Sequence, residues 1–252
     1  KWSLLYSFER LVRETLPDIV SMENVPNLIH ENVFRDFVRT LNELHYEVEY
    51  QVVNCPDYGV PQHRKRLVLL ASRFGEIHLI PPLYDAEHYI TVRDAIGHLQ
   101  PIEAGEICPD DILHRSSALS AINMERIQQS VPGGTWRDWD ENLRLKCHRK
   151  ESGATFPSVY GRMEWDEPSP TMTTQFYGYG NGRFGHPEQN RAISLREGAI
   201  LQSFPDDYIF IDDLHPAKKR ELGTHIGNAV PVELGRAIGM SIQQHLTEMG
   251  VN

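Results

Sequence analysis

The run DIVSMENV, Asp18 to Val25, decides the fold class: it is a short apolar stretch of strand length that ends on Glu23 and Asn24, compatible with a buried strand. On its N-terminal side, Leu4, Leu5, Phe8, Leu11, Val12 and Leu16 fall on one helical face over residues 2–16. On its C-terminal side, Val33, Phe34, Phe37, Val38, Leu41 and Leu44 repeat that pattern over residues 31–44. YEVEYQVVN (46–54) alternates, and RLVLLAS (66–72) reads as a buried strand. Helix, strand, helix, strand, strand is half of a doubly wound α/β sheet. Half a sheet leaves an inner edge uncovered, so a further partner segment is expected.

From about residue 95 the texture changes. Residues 95–190 are rich in Gly, Pro, Asp and Trp, with one good helix near 117–130. This predicts a smaller, loop-rich unit. Residues 194–202 and 232–247 read as helices again. Pro231 sits where a first helical turn accepts proline, and Ile238, Ile242 and Leu246 give the last helix an apolar stripe. The expected division is 1–94 for part of an α/β layer, 95–208 for the smaller unit, and 209–252 for a hinge and a helix returning to the layer.

The chain has 252 residues, 40% of them hydrophobic, and a formal net charge of -10. That balance argues against coating nucleic acid non-specifically, yet leaves room for a local basic groove. No run of 18 apolar residues is present, which argues against a membrane span, and no basic-then-apolar leader opens the chain. Cys55, Cys108 and Cys147 are odd in number and far apart, matching neither a disulfide framework nor paired zinc spacing. Free thiols in a reducing cytoplasm, with no metal, are the expectation.

Four short motifs carry the chemistry. Met22-Glu23-Asn24-Val25-Pro26 closes the first strand, at the kind of strand end where open α/β sheets hold ligands. DYGVPQHRKRLVLL (57–70) spaces Gln62, Arg64 and Arg66 so that they share one face as a strand begins. NRAISLREGAILQSFPDDY (190–208) leads Arg191 and Arg196-Glu197 into a helix. HIGNAVPVELGRAIG (225–239) places Gly227-Asn228 at an expected tight turn before a helix. Taken one at a time, these read as a surface carboxylate, a solvated basic strand start, a helix with an ion pair and a helix cap.

In this order and spacing they resemble the DNA (cytosine-5) methyltransferases. MENVP resembles that family's motif VI, QHRKR its motif VIII, RAISLREGAILQSFP its motif IX and GNAVP its motif X. YGRMEWDEPSPTMTT (160–174) and GRFGHPEQNRA (182–192) are similar to the approach to motif IX. The family's Gly-rich cofactor loop and Pro-Cys nucleophile loop precede motif VI, and the 22 residues before Glu23 contain neither. Cys55-Pro56 has those residue types reversed and reads as a strand end. Gly178, Gly180 and Gly182 form a G-x-G-x-G string with no helical pattern after it. The resemblance therefore implies a partial Rossmann-like sheet of the S-adenosylmethionine-dependent type beside a target-recognition domain, with the nucleophile on a separate or missing N-terminal segment.

The resemblance also implies roles. Carbon 5 of cytosine is a poor nucleophile, and the family activates it by adding a cysteine thiolate to carbon 6. Charge developing on the ring is relieved at nitrogen 3 and at the 2-oxo group. Glu23 fits the first task, since a carboxyl group accepts from the 4-amino group and, protonated, donates to nitrogen 3. Arg66 fits the second. Arg64 is expected on the base or on a flanking phosphate. Asn228, Ala229 and Val230 are expected to line the pocket for S-adenosyl-L-methionine. Arg137, Arg144, Lys146, Arg149, Lys150, Arg162 and Arg183 are the candidate contacts to double-stranded DNA. The target base must be flipped out of the duplex. Two other readings fit the same resemblance: a non-catalytic DNA-recognition subunit, and a relative acting on transfer RNA. A restriction-modification setting favours DNA.

Overall fold

A computed structural model describes residues 3–150, 155–210 and 218–251. Helix α1 (Ser3–Thr15) turns Leu5 and Val12, seven residues apart, inward, and α2 (Asn32–Glu43) adds Val33, Phe34, Phe37 and Leu41. Both helices cover one face of a sheet of β1 (Ile19–Asn24), β2 (Glu47–Asn54) and β3 (Lys65–Ser72). β3 supplies both faces by alternation. Leu67, Leu69 and Ala71 pack under α1 and α2, whereas Val68 and Leu70 enter the opposite core with Ile77, Leu79 and Ile80. Each fully buried leucine of this strand contributes about 1.5–3 kcal/mol relative to exposure.

The expected elements are present, but the sheet is not a run of parallel strands. Its order is β1-β3-β2, with β3 antiparallel to both neighbours. The connections explain this. β1 reaches β2 through α2, a crossover that keeps the two strands in the same direction. β2 reaches β3 through residues 55–64, a short link without a covering α-helix, so the chain reverses and fills the gap between them.

The last helix, α7 (Val232–Glu248), lies on the second face through Leu234, Ala237 and Ile238. Two buried hydrogen bonds fasten it: Ser72 Oγ to His245 Nε2 at 2.7 Å, and Ile80 N to Ser241 Oγ at 2.9 Å.

The remaining chain builds a second core. Its helices are α3 (Val92–Ile96), α4 (Ala121–Gln129), α5 (Leu195–Leu201) and α6 (Lys219–Asn228), with a small ribbon of β4 (Ile107–Cys108) and β5 (Asp111–Arg115). Phe176, Phe184, Leu195, Leu222 and Ile226 are buried together there. α6 lies in a segment expected to form a hinge, yet it packs on α5. Its Leu222 and Ile226, four residues apart, are the helical signal the sequence reading passed over.

Irregular backbone in this unit is held by buried charge. Arg191 makes a bidentate pair with Glu197, both bonds 2.7 Å, at 0% and 1% side-chain exposure. Glu197 also completes a capping box with Ser194 at the start of α5. Burial alone would raise the Glu197 carboxyl, but the Arg191 hydrogen bonds and charge, with His186 and the Ser194 amide, outweigh it and hold it at about 2. Among the described residues no helix is long and apolar enough to cross a membrane, and no cluster of His, Cys, Asp and Glu could hold a metal ion.

Candidate active site

Glu23 lies near the C-terminal end of β1, opposite Val68. Arg66 lies two residues before Val68 on β3, so the two side chains are diagonal neighbours on the α7 face. Arg66 Nε approaches Glu23 Oε1 to 2.5 Å, with side-chain exposures of 12% and 14%. The two groups form a close, largely buried ion pair. Burial pushes the Glu23 carboxyl above its ordinary range, against the opposing charges of Arg66 and Arg64. The site therefore holds a carboxyl group raised by burial beside a fixed cation.

Cys55 follows β2 directly and is fully buried, as a strand-end residue should be. Burial pushes its thiol up to about 12, despite the nearby charges of Arg66 and Arg64. Such a thiol is not a nucleophile near neutral pH.

Arg64 differs from Arg66 although only two residues separate them. It is 4% exposed, and burial lowers its pKa to about 10. Its guanidinium donates to Met172 O (3.0 Å), Gly227 O (3.2 Å) and Gln62 Oε1 (3.2 Å). Against the expectation that Arg64 holds the base or a phosphate, both of its Nη groups are engaged by the protein, while its Nε is buried without a hydrogen bond. Gln62 is buried beside it and bonds Gln202, the C-cap of α5. Segments 22–26, 57–70, 190–208 and 225–239 thus converge, with Glu23 and Arg66 at one end and the α6–α7 junction at the other.

At that junction Gly227 and Asn228 are the last residues of α6, and Ala229 is its C-cap. The expected tight turn and cap before the last helix are absent. α7 starts at Val232 after Pro231, with no side-chain cap. Asn228 is exposed, and among the described residues its amide makes no hydrogen bond. Val230 is exposed as well. An unengaged amide beside an exposed apolar side chain suits a ligand with polar and apolar parts, so these residues fit S-adenosylmethionine.

The seven basic residues separate into groups. Lys146 and Lys150 are exposed, as are Arg137, over the Trp136 ring at 5.3 Å, and Arg149, bonded to Glu141 O. Arg144 and Arg183 are half-buried; Arg144 donates to Arg137 O and Trp139 O, Arg183 to Gly134 O. Arg162 corrects the expectation outright. It is 4% exposed, and its guanidinium donates to the carbonyls of Ile127, Ser130, His186 and Gln189 and to Asn190 Oδ1. It organises loops and presents no donor to DNA. The Gly178–Gly182 string ends in a single short turn, Tyr179–Asn181, with no α-helix after it.

The sequence profile of the C-5 cytosine-specific DNA methylases matches residues 1–244. The Type II methylase M.HgiDII of Herpetosiphon aurantiacus is 55% identical over 249 residues, covering 98% of this chain and 70% of that protein. The Type II methyltransferase M1.HphI of Haemophilus parahaemolyticus is 34% identical over 245 residues, covering 95% and 60%. Among solved structures, an Escherichia coli prophage-encoded chain assigned as a DNA modification methyltransferase superposes with a TM-score of 0.68 at 20% identity. That match covers 95% of this chain and 73% of the other, and bears on the fold alone. The chain belongs to the C-5 cytosine-specific DNA methylases. This family takes its methyl group from S-adenosyl-L-methionine, and the chain spans 70% and 60% of the two curated relatives' lengths.

Proposed function

We propose that this chain forms the base-binding, cofactor-side and DNA-recognition parts of an enzyme that methylates carbon 5 of a flipped-out cytosine at a specific DNA sequence, in a restriction-modification setting. The observation that carries this is the Glu23–Arg66 pair, a carboxyl raised by burial in contact with a permanent cation. Glu23 accepts from the 4-amino group and donates its proton to ring nitrogen 3, a double contact that also rejects thymine. Arg66 leaves Glu23 for the 2-oxo group when the base arrives. S-Adenosylmethionine, when bound, supplies the methyl group. Asn228 and Val230, with Ala229, hold it at the α6–α7 junction. Arg137, Arg144, Lys146, Arg149, Lys150 and Arg183 offset the unstacking cost of about a few kcal/mol through phosphate and groove contacts.

The thiolate nucleophile comes from a segment other than those described. The buried Cys55 thiol supports this, as does the place of β1 as an edge strand among the described residues. Transfer of labelled methyl groups to DNA tests the reading. Residues 1–252 alone should transfer none, and adding the segment that precedes motif VI in its relatives, in cis or as a separate chain, should establish transfer. Incorporation by residues 1–252 alone would refute it.

A further inference from the structure

Two glutamines lie at 0% exposure where the α/β layer meets the second core, and most of their side-chain bonds cross between segments. Gln62 Oε1 accepts from Met172 N at 2.8 Å and from Arg64 Nη1. Gln62 Nε2 donates to Leu201 O at 3.1 Å and to Gln202 Oε1 at 2.9 Å. Gln202 Nε2 then donates to Ile226 O at 2.7 Å and Gly227 O at 3.3 Å. Arg64 closes the loop by donating to Gly227 O and Met172 O. The backbone of Gln202 reaches further, its carbonyl accepting from Val232 N at the start of α7. Gly227 completes the seam: a Cβ there would sit 2.4 Å from Thr173 O, so only glycine lets the end of α6 approach so closely.

A packed core alone does not require this. Apolar side chains would fill the same volume without desolvating two amides and a guanidinium. A network in which both glutamine amides are satisfied instead fixes one geometry, because any shift leaves a buried group unpaired. The fixed object is the end of α6, the residues just before Asn228. At the other end, Arg64 is two residues from Arg66, the cation of the base site.

The geometry points to Gln202 and Gln62, acting through Arg64, as positioning residues that set the α6–α7 junction relative to the Glu23–Arg66 pair. The link to cofactor binding rests on the assignment of Asn228–Val230 made above. Position of the junction is the property these residues control, so loosening the relay frees the junction first and the cofactor second.

Two substitutions in the complete enzyme separate this from simple packing. Gln202→Met keeps volume and removes every side-chain bond. Without cofactor, hydrogen exchange in a peptide covering 226–232 should quicken by about threefold to tenfold, as for loss of one or two buried hydrogen bonds, while β1–β3 peptides stay unchanged. Cofactor affinity by calorimetry should weaken by a similar factor. Gln202→Glu keeps the oxygen that accepts from Gln62. Its second oxygen donates to Ile226 O only when protonated, so its exchange rate and affinity should return toward wild type as pH falls, with Gln202→Met showing no such return. Unchanged exchange at 226–232 in Gln202→Met overturns the proposal, and so does loss of folding in both variants. Asn228→Ser, measured alongside, keeps the two readings apart. If it and Gln202→Met both leave cofactor affinity untouched while exchange quickens, the cofactor assignment falls and the relay stands.

Discussion

β3 and the segment 137–150 both carry several cations in a short stretch, and the fold treats them in opposite ways. On β3 and the residues leading into it, Gln62, Arg64 and Arg66 all turn inward, and the Arg66 partner, Glu23, follows from strand register. In 137–150 no ladder sets direction. Trp136 stacks on His148 with ring centroids 4.3 Å apart, Trp139 sends its Nε1–H to Ser130 Oγ, and the basic side chains take whatever direction those anchors leave. A regular element makes a residue's role readable from its position. An irregular one makes it depend on contacts far along the chain.

The largest expected effect tests the regular side. In the complete enzyme, Glu23→Gln keeps shape and loses the proton that nitrogen 3 needs, so turnover should fall by about 10²–10⁴-fold, the usual worth of general acid help. Arg66→Ala should fall similarly. DNA affinity should change little in either. Single-turnover rates within threefold of wild type for both would remove the pair from the chemistry.

The irregular side gives a split result within one group of cations. Arg162→Met leaves several buried carbonyls without their donor and should cost on the order of 2–3 kcal/mol of stability, read as a lower melting temperature. Lys146→Ala and Lys150→Ala should not move the melt. Each should instead lower the slope of log affinity for DNA against log salt by about one if it meets a phosphate. A stable Arg162→Met variant would show that the loops are held by something else.

Much of the α/β layer was legible because apolar periodicity and strand length state it locally. Glu23 and Arg66 were singled out by the resemblance of MENVP and QHRKR to motifs VI and VIII, and strand register is what brings their side chains into contact. The antiparallel insertion of β3 was not, since it depends on the short 55–64 link and not on any one strand's composition. Arg64 and Arg66 look alike in sequence. Their difference arises from Met172 and Gly227, 108 and 163 residues away. Gln202 gave no signal of its own within a helical pattern, and Arg162 looked like any other basic loop residue.

A smaller effect separates the two regions by pH. Glu197 is held at about 2, below its ordinary 4.5, so its stabilisation is complete above the ordinary value and is lost as pH falls from there toward 2. Burial lowers His186 beside it to about 4, from 6.5, so the folded state resists a proton the unfolded chain accepts and stability declines between those values as well. Acid should therefore loosen the second core first. Hydrogen exchange at pH 4.5 should quicken in peptides covering 184–200 before those of β1–β3, and the reverse order would place the acid-sensitive charges in the sheet.

The smallest expected effect bears on the residue whose position most invites error. Cys55 stands beside a proline, within reach of the charges of Glu23, Arg64 and Arg66, which is the company a catalytic thiol would keep. Two nearby guanidinium groups should favour a thiolate, and in an open site they would. Here desolvation is the larger influence and the thiol is pushed up to about 12, so at neutral pH it carries a proton that nothing removes. Its backbone confirms a structural part, with Cys55 N donating to Arg64 O at 2.7 Å and the side chain packed in the α7-side core with Val53 and Tyr58. Cys55→Ala should accordingly cost about 1 kcal/mol of stability or less from the small cavity, and leave single-turnover methyl transfer by the complete enzyme within about twofold. A fall of a hundredfold or more with the melt preserved would make Cys55 the nucleophile. The sheet would then hold the whole reaction centre, with no second segment required.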